Sequence, residues 1–351
     1  MTTTFIIPSE AEPAQDPTKA RRSKDGRPYI KHPCPLQRGG RTVMPGSALC
    51  VDGRTEGSRG PLSKQCERCK GKGYVEELYT RCTTFVSAME ERTQLELWKM
   101  RTVLVGVAAG PSSLLAELML LTPEDREALD RLANQAVELG DGYLKARKGT
   151  DLHTLSEYVD QGRPLPDLLT DWETGQERPV TLQDRADMAA YKRLTEMDGI
   201  IENWQLFMIA SEKFVVNDEF KIGGTYDRLV SFLPQWEHQE GMQPGICPEE
   251  CGKPMILDLK TGRVDYGAGK IAQQLAVYAH SDDYDPATGQ RTPQDVCQHK
   301  GIVIHLPQGT GEATVLIVDL VEGWERVKLS SRVREHRRTE KALLTEFSLK
   351  S

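Results

Sequence analysis

Apolar and polar positions change their spacing several times along the 351 residues. Residues 1–30 carry Pro, Thr and charge with few apolar positions, a composition that predicts a disordered tail. Residues 31–80 are rich in Gly, Arg and Cys, and no helical or strand period there is long enough for a core. From Thr80 the period becomes helical, and Phe85, Met89, Leu95, Trp98 and Val103 fit one or two amphipathic helices. Thr122 suits the N-cap of a further helix, with Pro123 in its first turn and Glu124 and Asp125 matching its dipole. Gly149 breaks that pattern, and a new helix then carries Leu152, His153, Leu155 and Tyr158. The run from Thr181 to Ala210 reads as a helix pair.

The period then switches to two. "EKFVVNDEFKIGGTYDRLVSF" predicts a hairpin turning near Asn217 and Asp218, with its second arm from about Phe220 to Phe232. "KPMILDLKTG" (Lys253 to Gly262) predicts a third strand, and "GAGKIAQQLAVYAH" a short helix. "GIVIHLP" and "ATVLIVDL" predict two more strands before a basic C-terminal helix. The order is helices, three strands, a helix, two strands and a helix, which suits an α/β domain. The expected division is a tail (1–30), a Cys-rich basic module (31–80), a helical region (81–147) and a core (148–351).

Within "ILDLK", alternation puts Ile256, Asp258 and Lys260 on one face and Met255, Leu257 and Leu259 on the other. A carboxylate and an ammonium thus emerge at the end of a buried strand, where either is costly without a partner or a metal. A strand-end ion pair is the plainer reading. Asp227 in "GGTYDRL" also falls inside a strand pattern, where Arg228 is one available partner and the paired glycines allow close approach to the backbone. Two carboxylates on adjacent strands repel unless neutralised, and a hard divalent cation does this well. Lys260 beside such a cation is placed to position and deprotonate a water. On the preceding helix, His153 shares a side with Glu157. Gln274 and Tyr278 stand four apart on the short helix, on the face of Ile271 and Leu275, where an amide needs hydrogen-bond partners.

Composition narrows the function classes. A net charge of −7 argues against indiscriminate nucleic-acid binding, but between Lys19 and Lys72 fourteen Lys or Arg face four Asp or Glu. A second basic run extends from Arg326 to Lys341. Basic ends on an acidic body suit a polyanionic partner met at specific surfaces. No run approaches the roughly 18 apolar residues of a membrane span, and the start lacks the order of a signal peptide. The expectation is a cytoplasmic chain without a membrane partner, in which the eight cysteines are thiols. No nucleotide-binding Gly-x-x-x-x-Gly-Lys-Ser/Thr loop occurs.

"CERCKGKGY" contains a Cys-x-x-Cys knuckle, Cys66 and Cys69, and Cys34 and Cys50 complete a candidate zinc site, with His32 as a substitute. The segment is too poor in apolar residues to fold on its own, so a metal staple suits it. Cys247 and Cys251 suit half of a second metal site or a share in the first. Cys82 and Cys297 suit core packing.

Taken in order, "GTDLHTLSE", "GGTYDRL", "ILDLKTG" and "QQLAVYA" resemble the RecB-like branch of the PD-(D/E)xK nuclease superfamily. That branch includes the AddB nuclease domain and CRISPR-associated and bacteriophage-encoded RecB-like exonucleases. The likeness covers about residues 148–345, and each motif gains specificity from the order of the set. It implies a restriction-endonuclease-like α/β core, a mixed central sheet flanked by helices. It implies that His153, Asp227, Asp258 and the carbonyl of Leu259 bind Mg²⁺ or Mn²⁺ and that Lys260 activates a water. Gln274 and Tyr278 would position DNA and the lysine. The implied activity is metal-dependent exonuclease cleavage of DNA from linear or single-stranded ends, leaving a 3′ hydroxyl and a 5′ phosphate. Phage-type recombination, repair or replication is the implied setting, with helicase or recombination proteins as partners. The alternatives are a structure-specific endonuclease and a catalytically silent DNA-binding subunit of a helicase–nuclease complex. Several relatives hold an iron–sulfur cluster with one cysteine before the core and three after the Gln/Tyr helix. Here only Cys297 follows that helix, which speaks against a cluster of that kind.

Overall fold

A computed structural model describes residues 20–34, 54–57, 60–66, 68–170, 175, 177–195, 204–234 and 253–344. The chain is a mixed α/β protein that divides into two compact units, and these do not follow chain order. One comprises Met1–Phe85, Lys213–Thr225 and His280–Gln294; the other comprises Val86–Glu212, Tyr226–Ala279 and Asp295–Ser351. The reason lies in strand pairing: Thr80–Arg81 pairs in parallel with Ile222 and Gly223, and Asp282–Tyr284 pairs with Val215 and Val216. Two later segments are thereby recruited to the N-terminal unit.

The larger unit begins with helices at Thr93–Ala109, Ser112–Leu118, Arg126–Leu139 and Leu144–Asp160. The third of these starts at Arg126 rather than near Thr122. Thr122 instead opens a turn in which its N–H and hydroxyl both donate to Asp125 Oδ2. The first and third helices meet where a Cβ on Gly106 would lie 1.7 Å from the Ala136 carbonyl oxygen, a contact only glycine allows. Gly149 does not end a helix. It sits within Leu144–Asp160, where a Cβ would come 2.9 Å from Thr261 Oγ1.

The expected helix pair after Thr181 is also corrected. One helix, Leu182–Thr195, is followed by a strand that already starts at Trp204. The run "WQLFMIASEKFVV" is rich in aromatic and β-branched residues, which fit a half-buried pleated surface better than a helix. That strand and Ile222–Pro234 form the hairpin expected from the sequence.

The central sheet of this unit is mixed. Ile222–Pro234 runs antiparallel to Met255–Lys260, with Leu257 opposite Arg228. Met255–Lys260 runs parallel to Lys300–His305, which runs antiparallel to Thr314–Asp319. A parallel pair needs a crossover, and the helix Ala268–Ala279 supplies it. Leu152 and Leu155 of one helix and Met188 and Tyr191 of another pack with Leu257, Leu259, Ile302 and Ile304 on one side of the sheet. Ala268–Ala279 packs against the last helix, Leu320–Thr339, so closely that a Cβ on Gly323 would lie 2.4 Å from the Ala272 carbonyl oxygen. None of the described helices is long and apolar enough to cross a membrane.

The smaller unit is built from short strands. Tyr29–Pro33 pairs antiparallel with Tyr74–Leu78, and Arg54–Gly57 with Gly60–Gln65. One hydrophobic cluster there joins Ile30, Tyr79, Val216 and Tyr284. Tyr79 donates to Asp218 Oδ1 at 2.6 Å, and Arg291 Nε donates to Asp218 Oδ2 at 2.9 Å.

Candidate active site

The carboxyl ends of parallel strands are where open α/β sheets collect ligands. Met255–Lys260 carries its two charged residues at that end. The expected alternation holds: Asp258 and Lys260 share a face, and Lys260 Nζ lies 2.6 Å from Asp258 Oδ2. Asp258 is only 2% exposed. Its other oxygen accepts from Gln274 Nε2 at 3.4 Å, and the same amide nitrogen lies 3.3 Å from Tyr278 Oη. The short helix therefore delivers both of its singled-out side chains to one carboxylate.

Burial pushes Asp258 up to about 7, and the neighbouring negative charge of Asp227 adds to the effect, while Lys260 opposes it. A lone strand-end ion pair would lack the influence of a second acid. Pairing of Leu257 with Arg228 makes Asp258 and Asp227 the next positions along the two antiparallel strands, where facing side chains come close.

Asp227 is held from two directions. The Leu259 N–H donates to its Oδ2 at 2.9 Å, and His153 Nδ1 lies 3.6 Å from the same oxygen. Burial pulls the imidazole below its ordinary range, and the charge of Asp227 pulls in the opposite direction. The structure thus brings His153, Asp227, Asp258, Leu259, Lys260, Gln274 and Tyr278 into one constellation.

Arg228, the alternative partner for Asp227, forms its ion pair elsewhere. Its Nε donates to Asp160 Oδ2 at 2.6 Å, its Nη2 donates to Ser156 Oγ at 2.5 Å, and its guanidinium lies 5.4 Å from the Tyr191 ring centroid. Tyr191 also donates to Asp160 at 2.7 Å. This buried set anchors the His153 helix to the Asp227 strand, and sequence reasoning missed it. Alternation alone signals that Arg228 must leave Asp227's face, but nothing local points to Asp160, 68 positions away. Asp187 was also missed. It is fully buried and accepts from the N–H groups of Gly309 and Gly311, both at 2.8 Å, which fixes the turn after Lys300–His305.

The donor set fits a hard divalent cation: two carboxylates, an imidazole and a main-chain carbonyl, with one carboxylate disfavoured as an anion by its burial. These groups are engaged with protein partners. Among the described residues, only Cys34, Cys66 and Cys69 bring three His, Cys, Asp or Glu ligand atoms within 4.8 Å of one another. The ligand atoms of His153, Asp227 and Asp258 do not all come within that distance of one another.

Of the remaining expected ligands, Cys50, Cys247 and Cys251 lie outside the described residues. His32 is not part of the cysteine group; its Nδ1 lies 3.3 Å from Arg291 Nη2, and its Nε2 lies 3.8 Å from Glu77. Cys82 and Cys297 are buried, and Cys297 packs in the main core. No family model matches the chain, and no curated protein matches its sequence.

Proposed function

We propose that the chain is a metal-dependent DNA exonuclease of the RecB-like, PD-(D/E)xK kind. One observation carries this reading: Asp227 and Asp258 occupy successive positions of two paired strands, with Lys260 on one acid and His153 on the other. A pair of acids has no structural reason to share a strand end, because Asp227 raises the cost of ionising the buried Asp258.

Asp227, Asp258, His153 and the Leu259 carbonyl would hold Mg²⁺ or Mn²⁺. Bound there, the cation supplies Lewis acidity to the phosphodiester and lowers the pKa of water. Gln274 orients Asp258 through Oδ1, and Tyr278 engages the same amide, so the carboxylate has one rotamer. Lys260, whose Nζ lies 2.6 Å from Asp258 Oδ2, would orient the attacking water, and only as a neutral amine released from that ion pair would it take up the water's proton. In-line attack on phosphorus would leave a 5′ phosphate and a 3′ hydroxyl. Such an activity suits DNA recombination, repair or replication alongside helicase or recombination proteins, including in a phage.

The test is cleavage of end-labelled linear and covalently closed circular DNA with Mg²⁺ or Mn²⁺. Linear DNA alone should be degraded, and Asp258→Asn and Lys260→Ala should each lower the rate by about 10²-fold or more. Cutting of circular DNA would replace the exonuclease with an endonuclease. Equal activity in the variants would exclude this centre.

A further inference from the structure

Cys34 follows the strand Tyr29–Pro33, and Cys66 and Cys69 precede Tyr74–Leu78, the strand paired with it. All three thiols are buried, and Cys34 Sγ lies 3.8 Å from Cys66 Sγ. That separation is far beyond a disulfide bond of about 2.05 Å. It equals the separation of about 3.8 Å expected for two thiolates on one tetrahedral zinc with Zn–S near 2.3 Å. Thiolates bound to different irons of a cluster would stand farther apart.

The backbone around Cys69 is shaped for the same purpose. Lys70, Gly71 and Gly73 have φ of 51°, 83° and 78°, in the left-handed region. The turn aims the Gly73 N–H at Cys69 Sγ at 3.3 Å, while the Gly73 carbonyl accepts from the Cys34 N–H at 2.9 Å. The described surroundings differ from those of a small core hydrophobe. Cys297 is such a residue, set among Leu152, Ile302 and other aliphatic side chains. Among the described residues, the hydrophobic side chain packed against this cysteine cluster is the partly buried Val75. A cluster that small cannot offset the entropy of ordering its segment.

We propose that Cys34, Cys66 and Cys69 bind one structural zinc ion as thiolates and that this ion joins the ends of the two paired strands. Three thiol protons pass to solvent on binding, so affinity rises with pH. A fourth donor outside these three completes the coordination. This site is independent of the nuclease reading.

The test is zinc content by mass spectrometry of the full chain purified under reducing conditions. One zinc per chain is expected in the wild type and in Asp258→Asn, and none in the double variant C66S/C69S. Should the double variant fail to fold, the wild type loaded with Co²⁺ should show intense near-ultraviolet sulfur-to-cobalt absorption, lost on adding Zn²⁺. Stepwise thiol modification should release zinc in proportion to the thiols consumed. A wild-type chain without zinc whose melting temperature is unchanged by chelators would overturn the proposal. So would stoichiometric iron and sulfide.

Discussion

The Leu259 amide donates to Asp227 Oδ2 at 2.9 Å, so a main-chain group of one strand is tied to a side chain of its neighbour. The ladder between these strands runs as far as Leu257 and Arg228. Beyond it the carboxylate accepts a main-chain N–H, which holds Asp227 beside Asp258 before any cation arrives. Replacing Asp227 by Asn keeps an acceptor for Leu259 but removes the charge. Asp227→Asn should fold normally, lose at least about 10²-fold in cleavage rate and bind Mn²⁺ weakly. Circular dichroism, a nuclease assay and calorimetry together check this.

The pH dependence of stability follows from Asp258. Its carboxyl is raised from 3.8 to about 7 in the folded chain. Between those values the folded chain retains a proton that the unfolded chain has released. Stability without metal should therefore fall as pH rises through that window, and the loss should be complete above about pH 7. Asp258→Asn should remove this component of the slope. Melting curves from pH 5 to pH 8 on both proteins are the measurement, and Mn²⁺ should restore stability more at pH 8 than at pH 5.

Gln274 bears on activity through Asp258, whose Oδ1 it contacts at 3.4 Å. Gln274→Ala should leave DNA binding intact while weakening metal affinity or turnover by about 10- to 100-fold. A metal titration of the cleavage rate separates the two effects. A variant with wild-type metal dependence and rate would remove Gln274 from the site.

Arg228 is 2% exposed and paired with Asp160, so its removal leaves a buried carboxylate uncompensated. Arg228→Met should cost about 3–5 kcal/mol in urea denaturation. Arg228→Lys should also be destabilising, because an ammonium lacks the planar fork that reaches both Asp160 and Ser156. The double variant Arg228→Met with Asp160→Leu should recover part of the loss.

Much of the second half of the chain was legible before the structure. The alternation in "ILDLK" put Asp258 and Lys260 on one face, and helical spacing put Gln274 and Tyr278 on another, because side-chain direction in regular elements is set by backbone geometry. The turn near Asn217 was legible for the same reason. Tertiary contacts were not. Gly149 read as a break, but it lies within a helix, where a Cβ would come 2.9 Å from Thr261 Oγ1. The run from Trp204 read as helix, but strand pairing overrode its spacing. Arg228's partners and Asp187's grip on the Gly309 turn join positions far apart in sequence, which no local period can reveal.

Mn²⁺ binding followed by electron paramagnetic resonance tests the shared-acid centre most directly. The wild-type chain should bind Mn²⁺ at a site lost in both Asp227→Asn and Asp258→Asn, with each variant still folded. Unchanged Mn²⁺ binding in either variant would contradict a site built from both acids.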